Sequence, residues 1–203
     1  MKVYTVEQAA REILDGGIVA YPTETCYGLA VLADDAKAVE DLRKLKGMDS
    51  QRGISVLVPD SDCMDEYVES IPQEAKSIMD EFWPGPLTLV LKAKPGIFAD
   101  GIATPDGNVG FRCSSLVETA QLASRVGRPL TSTSANYSEQ SEIAGLDDLF
   151  IHFDTKIAGV LSGKCRGWNP STVVNVSDGK IEVLRQGPIS YDDIMKAVSS
   201  TSE

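Results

Sequence analysis

Four short polar clusters carry the residue types that bind or activate small anions: Pro22-Thr23-Glu24-Thr25, Lys46 with Arg52, Ser132-Thr133-Ser134-Ala135-Asn136, and Pro170-Ser171-Thr172. Arg112 and Arg185 each close an apolar run. Hydroxyls give directional hydrogen bonds and arginine grips an oxyanion through two parallel N–H groups, so a place where these clusters meet suits a phosphate and an amino-acid carboxylate. Each cluster also has an ordinary reading. Ser/Thr turns cap backbone, a lone arginine often makes a surface ion pair, and Arg43, Lys44 and Lys46 in the last turn of a helix answer its dipole. Nucleophilic catalysis finds little material. The single histidine, His152, lies in LFIHFD, which reads as a strand or core edge, so no Ser-His-Asp set can be assembled. Cys26, Cys63, Cys113 and Cys165 are far apart with no C-x-x-C spacing, which argues against a zinc site or a disulfide framework. Cys26 reads as a small packing residue. Neither familiar glycine-rich phosphate loop is present.

Loops at strand ends are where such groups converge, so strands and helices must deliver them. Thr5-x-x-Gln8 fits a capping box, and Ala9, Ala10, Ile13 and Leu14 give the following helix, Val6 to Asp15, one apolar face. Further helices are expected over Ala36 to Lys46, Pro72 to Phe82, Leu116 to Val126 behind a Ser115-x-x-Glu118 cap, and from Ser190 to about Val198. Strands are expected at Ile18 to Tyr21, Ile54 to Val58, Leu87 to Lys92, Val109 to Arg112 and Leu130 to Ser134, with a hairpin of Thr172 to Val176 and Ile181 to Leu184. Trp83, in Trp83-Pro84-Gly85-Pro86, reads as core packing beside a rigid turn. This irregular alternation predicts an α/β or α+β domain with a twisted mixed sheet.

The chain has 203 residues, 42% hydrophobic and 24% charged, with 19 Lys+Arg against 30 Asp+Glu and a net charge of −11. Disorder and fibre are excluded by that composition, and a single domain over residues 1–198 with a C-terminal tail, 199–203, is expected. So large an acidic excess argues against holding long nucleic acid by neutralising phosphates, while leaving room for a small basic cavity. No apolar run approaches the ~18 residues of a membrane span. The reading is of a soluble, reducing, cytoplasmic protein.

Taken in order, YPTETCYGLA, KLKGMDSQRGISVLV, FWPGPLTLVL, VGFRCSS, TSTSAN, PSTVVNV and VLRQGP resemble the YrdC-type family of L-threonylcarbamoyladenylate synthases over nearly the whole chain, in its short, single-domain form. The resemblance implies a YrdC-like twisted mixed sheet with flanking helices around a deep basic cavity. It implies that L-threonine, bicarbonate or CO2, and ATP with Mg2+ are converted to L-threonylcarbamoyl-AMP and pyrophosphate. A separate tRNA threonylcarbamoyl transferase complex would use that product at position 37 of tRNA. By motif position, Thr25, Arg112, Ser132 and Ser171 would hold threonine and its carboxylate. Lys46, Arg52, Asn108, Ser134, Asn136, Ser141 and Arg185 would hold ATP, with Lys46 and Arg52 acting on the reacting phosphates and no protein-bound metal. One position departs from the pattern: Met48 stands where the family usually carries an arginine two residues after the lysine, and Asp49 replaces the usual proline. Two other readings stay open at this point. One is a divergent paralogue that binds nucleotide without this activity; the other is a double-stranded RNA or ribosome-associated module with weak RNA binding.

Overall fold

A computed structural model of the chain describes all residues except 50, 139, 140, 142, 168 and 201–203. The N-terminal part contributes β1 (Lys2–Tyr4), α1 (Val6–Leu14), β2 (Val19–Tyr21), β3 (Gly28–Ala30) and α2 (Ala36–Lys46). The middle adds β4 (Val56–Val58), α3 (Met64–Tyr67), α4 (Gln73–Phe82), β5 (Leu87–Lys92), β6 (Asn108–Cys113) and α5 (Val117–Val126). After these come β7 (Leu130–Thr131), β8 (Thr133–Ser134), α6 (Leu146–Phe153), β9 (Gly159–Leu161), β10 (Thr172–Asn175), β11 (Glu182–Arg185) and α7 (Tyr191–Ser199).

The expected mixed sheet is present as two. One is five-stranded in the order β1-β9-β2-β3-β8; the other is six-stranded in the order β11-β10-β5-β6-β4-β7, and both mix parallel and antiparallel pairs. Strands such as β2, β3 and β4 are buried at every residue, which explains their unbroken apolar runs. Helix α1 forms as its residues dictate, with both bonds of the Thr5–Gln8 capping box made and Ala9, Ala10 and Ile13 turned into the core. Trp83 packs in a second, larger hydrophobic cluster and donates its indole N–H to Leu87 O.

Several expectations are corrected. The run Leu130 to Ser134 is two strands in different sheets, because Ser132 between them donates its backbone N–H to Ser55 O in the β4 region while Thr133 and Ser134 pair with β3. The expected Ser115 cap is absent: Leu116 is the N-cap of α5, and the backbone N–H of Ser115 is taken by the Glu24 carboxylate. His152 lies in a helix, α6, rather than a strand, half-buried with its Nδ1 2.8 Å from Asp148 O. Helix α7 reaches Ser199 with Ser200 as its cap, and the remaining tail positions, 201–203, lie outside the described residues.

Candidate active site

The six-stranded sheet sets one wall of a polar cavity. In register, Arg112 of β6 lies opposite Thr88 of β5, and Thr88 lies opposite Val173 of β10, just beyond Ser171. Thr88 Oγ1 and Ser171 Oγ are 3.0 Å apart, and Arg185 donates from Nε to Ser171 O at 3.0 Å and from Nη2 to Ser171 Oγ at 3.1 Å. Thr172 Oγ1 accepts from the backbone of Gly187 and Ile189 and donates to Ile189 O, which fastens the segment carrying Arg185 to β10.

The five-stranded sheet sets the opposite wall through the loop between β2 and β3. Gly28 faces Tyr21 across that pair, and a Cβ on Gly28 would fall 2.6 Å from the tyrosine ring, so only glycine admits the ring there. Tyr21 then reaches Ser132 Oγ at 3.1 Å, and burial pushes its hydroxyl pKa up to about 12, so it stays a donor. Thr23 and Thr25 bond to each other through their hydroxyls at 2.9 Å, with Thr23 also donating to Cys26 O. Cys26 is buried and lines the cavity.

Between the walls sits a buried ion pair. Arg112, 7% exposed, donates from Nη2 to Glu24 at 2.5 Å and from Nη1 to Thr25 Oγ1 at 3.4 Å. Glu24 also accepts from Ser114 Oγ and the Ser115 backbone, so its oxygens are saturated. The Nε–H of Arg112 is buried and has no acceptor among the described residues. A buried arginine donor without a partner is costly, and an oxyanion in the cavity would satisfy it.

Burial is the largest influence on the Glu24 carboxyl and pushes its pKa up, but the Arg112 charge and the hydrogen bonds it accepts outweigh this and hold it below 4.5. A depressed carboxylate contributes stability above its ordinary pKa and loses it as pH falls through the depressed folded value. We therefore expect urea unfolding between pH 6 and pH 3 to show a loss of stability below about pH 4.5 that Glu24→Gln makes shallower. An unchanged acid limb in the variant would show that the pair contributes nothing to it.

The cavity encloses about 220 Å³ and brings together Thr25, Arg52, Arg112, Ser132, Ser134, Ser171 and Arg185 of the sequence-derived residues, with Met48 also on its wall. Lys46 and Asn136 form a buried support at the edge. Lys46, 4% exposed, donates to Ser134 O, to Asn136 O at 2.7 Å and to Asn136 Oδ1 at 3.0 Å, and Ser134 Oγ donates to Asn136 Oδ1 at 2.8 Å. Two residues stand apart. Asn108 starts β6, four residues or about 13 Å from Arg112, where it pairs with Lys92 and bonds Thr104. Ser141 is exposed in the loop before α6. Neither lines the cavity. Sequence reasoning missed Glu24 as the arginine's partner, Thr88 and Tyr21. The acid between two threonines in YPTET was the one local signal, since an acid at a buried strand end must find a cation.

Fold and cavity together define an α/β protein with a polar cavity between two mixed sheets, lined by hydroxyls and arginines. The chain belongs to the Sua5/YciO/YrdC family, whose model, described as "Telomere recombination", matches residues 11–187. A Methanocaldococcus jannaschii protein is 33% identical over 94% of this chain and 89% of its own length. A Bacillus subtilis protein named "Threonylcarbamoyl-AMP synthase" is 30% identical over 93% of this chain and 55% of its own. The crystal structure of Pyrococcus abyssi Sua5 complexed with L-threonine superposes with a TM-score of 0.91 at 27% identity, covering 97% of this chain and 61% of that one. The chain thus spans little more than half the length of the last two. No helix among the described residues is long and apolar enough to cross a membrane.

Proposed function

We propose that this protein is a threonylcarbamoyl-AMP synthase, acting in the cytoplasm on L-threonine, bicarbonate or CO2, and ATP. The observation that carries the reading is Arg112, whose buried Nε–H has no acceptor among the described residues and which lines a cavity shared with Arg52 and Arg185. Arg112 would take the carboxylate of threonine, with Thr25, Ser132 and Ser171 around it. Arg52 and Arg185 would face the phosphates, supported by Ser134 and by the Lys46–Asn136 brace.

The chemistry needs no protein nucleophile. The threonine nitrogen attacks carbon dioxide, forming a C–N bond and releasing one proton. A carbamate oxygen then attacks the α-phosphorus of ATP in line, and the bond from that phosphorus to the bridging oxygen breaks as pyrophosphate leaves. Positioning and charge balance would supply the rate, and displacement of water by the bound substrates would preserve both carbamate and mixed anhydride. Among the described residues no group of three or more His, Cys, Asp or Glu could hold a cation. Mg2+ would arrive on the triphosphate as part of the substrate. The product would pass to a tRNA threonylcarbamoyl transferase.

The test is pyrophosphate release by the purified protein with bicarbonate, with and without threonine, followed by mass detection of the product. Threonine-dependent pyrophosphate together with threonylcarbamoyl-AMP is expected. Folded protein that binds ATP but forms no product would overturn the reading in favour of a nucleotide-binding paralogue.

A further inference from the structure

Arg43 stands in the last turn of α2, where a cation ordinarily serves the helix dipole. Its guanidinium does something more specific. Nη1 donates to Arg52 O and to Gly101 O, both at 2.8 Å, and Nη2 donates to Asp49 O. Its own carbonyl accepts from Met48 N at 3.1 Å as the helix ends at Gly47. The Arg43 backbone and side chain together therefore hold both ends of the segment running from Met48 to Arg52. Between those ends, Arg52 N donates to Asp49 O and Gln51 N donates to Asp49 Oδ1.

The 99–104 stretch is shaped to receive this arginine. Gly101 has φ +88°, and a Cβ there would sit 3.0 Å from Arg43 Cδ and 3.2 Å from Nε and Nη1. Ile54 N also donates to Ile102 O, so the chain is tied down again just past the segment. Arg52, held by its carbonyl, presents an exposed side chain on the cavity wall. The guanidinium serves these three carbonyls from two nitrogens held in one plane, whereas a lysine amine would have to reach all three from a single nitrogen on a shorter stem.

We infer that Arg43 is a positioning residue that fixes the 48–52 segment and thereby aims Arg52 at the nucleotide phosphates. The inference rests on the proposed function for the identity of the ligand, but the clamp itself does not. Arg43→Met keeps an unbranched stem and the helix preference while removing every side-chain donor, and Arg43→Lys keeps the charge without the fork.

The experiment measures MgATP affinity by equilibrium dialysis in wild type, both Arg43 variants, Arg52→Ala and the double variant Arg43→Met/Arg52→Ala. In parallel, limited trypsin digestion with mass detection follows the cut between Arg52 and Gly53, which reports local opening whether or not nucleotide binds. Expected are a weakening of ATP binding by ten-fold or more in Arg43→Met, little recovery in Arg43→Lys, and less than a two-fold effect of Arg43→Met once Arg52 is already alanine. The tryptic cut should be at least five-fold faster in Arg43→Met, with KM for threonine within two-fold of wild type. A loss in Arg43→Met that persists undiminished in the Arg52→Ala background would overturn the inference, as would full recovery by Arg43→Lys. Wild-type protein that binds no ATP would remove the functional reading instead, and the tryptic cut alone would then decide the clamp: no acceleration in Arg43→Met overturns it.

Discussion

Arg112→Ala should lower threonine-dependent pyrophosphate release by 100-fold or more, about 2.7 kcal/mol of transition-state stabilisation, while leaving ATP affinity within a few-fold of wild type. The Nε–H of the buried guanidinium has no acceptor among the described residues, and its Nη1 lies beside Thr25. Losing it removes the group that would orient the threonine carboxylate, and with it the direction of the nitrogen's attack. The substitution also carries a folding cost. Glu24, whose side chain is only 9% exposed, would be left a buried carboxylate without its cation, a loss of roughly 3–5 kcal/mol. The two consequences separate in the double variant Glu24→Ala/Arg112→Ala, which takes away the stranded charge. That variant should regain much of the urea midpoint and none of the activity. Turnover in Arg112→Ala within five-fold of wild type, with the fold intact, would remove the residue from the site. Activity that returns with stability in the double variant would reduce Arg112 to a structural role.

The stretches legible in the sequence are those whose signals are local. Helix α2 ends where three cations precede Gly47, and β5 spans the residues its apolar run marks. Strands β1 and β9 were not legible, because each is three residues long and forms only by parallel pairing with partners far along the chain, β1 with β9 and β9 also with β2. The α6 segment, LDDLFIHF, shows why a short apolar run is ambiguous: Leu149 and Phe153 are buried one helical turn apart, while Ile151 between them is 77% exposed. The helical sign was in Asp147 and Asp148, acids in the first turn.

The site divides along the same line. Hydroxyl clusters announce themselves, because Ser132 to Asn136 and Pro170 to Thr172 sit in contiguous motifs. That they meet in one cavity followed from the family resemblance, not from spacing. The Glu24–Arg112 pair joins residues 88 apart, and the acceptors of Arg43 and Lys46 are mainly backbone carbonyls, which every residue carries and no sequence pattern marks. Met48, where the resemblance leads one to expect an arginine, sits on the cavity wall and also packs against the main core. Among the described residues that leaves Arg52 and Arg185 as the cavity arginines that the proposed function assigns to the phosphates, which raises the importance of whatever holds the surrounding backbone in place.

Lys46 is the other half of that support, and Lys46→Met should cost about as much activity as loss of Arg112, though by a different route. The ammonium is nearly enclosed and donates to Ser134 O, Asn136 O and Asn136 Oδ1, binding the end of α2 to the stretch that follows β8. The backbone carbonyl of Lys46 accepts from Ser138 N at 2.9 Å, so a second bond joins the same two segments. Methionine approximates the length and helix preference of lysine but offers no donor, so three charge-assisted bonds are lost. Ser134 O keeps the Asn136 N–H and Asn136 Oδ1 keeps the Ser134 hydroxyl, and Asn136 O bears the larger cost, about 1–3 kcal/mol if water cannot reach it. Part of that appears as a lower unfolding midpoint. The rest appears as displacement of Ser134 on the cavity wall, where a shift near 1 Å can lose about 100-fold in rate. The signature differs from that of Arg112→Ala: KM for ATP should rise at least ten-fold and KM for threonine much less. Lys46→Arg should fail to rescue, since the larger guanidinium has no room in a site only 4% exposed. Steady-state kinetics with each substrate varied in turn checks the split. A Lys46→Met enzyme with wild-type KM for ATP and a kcat within five-fold would show that the 134–136 stretch holds its place without this amine.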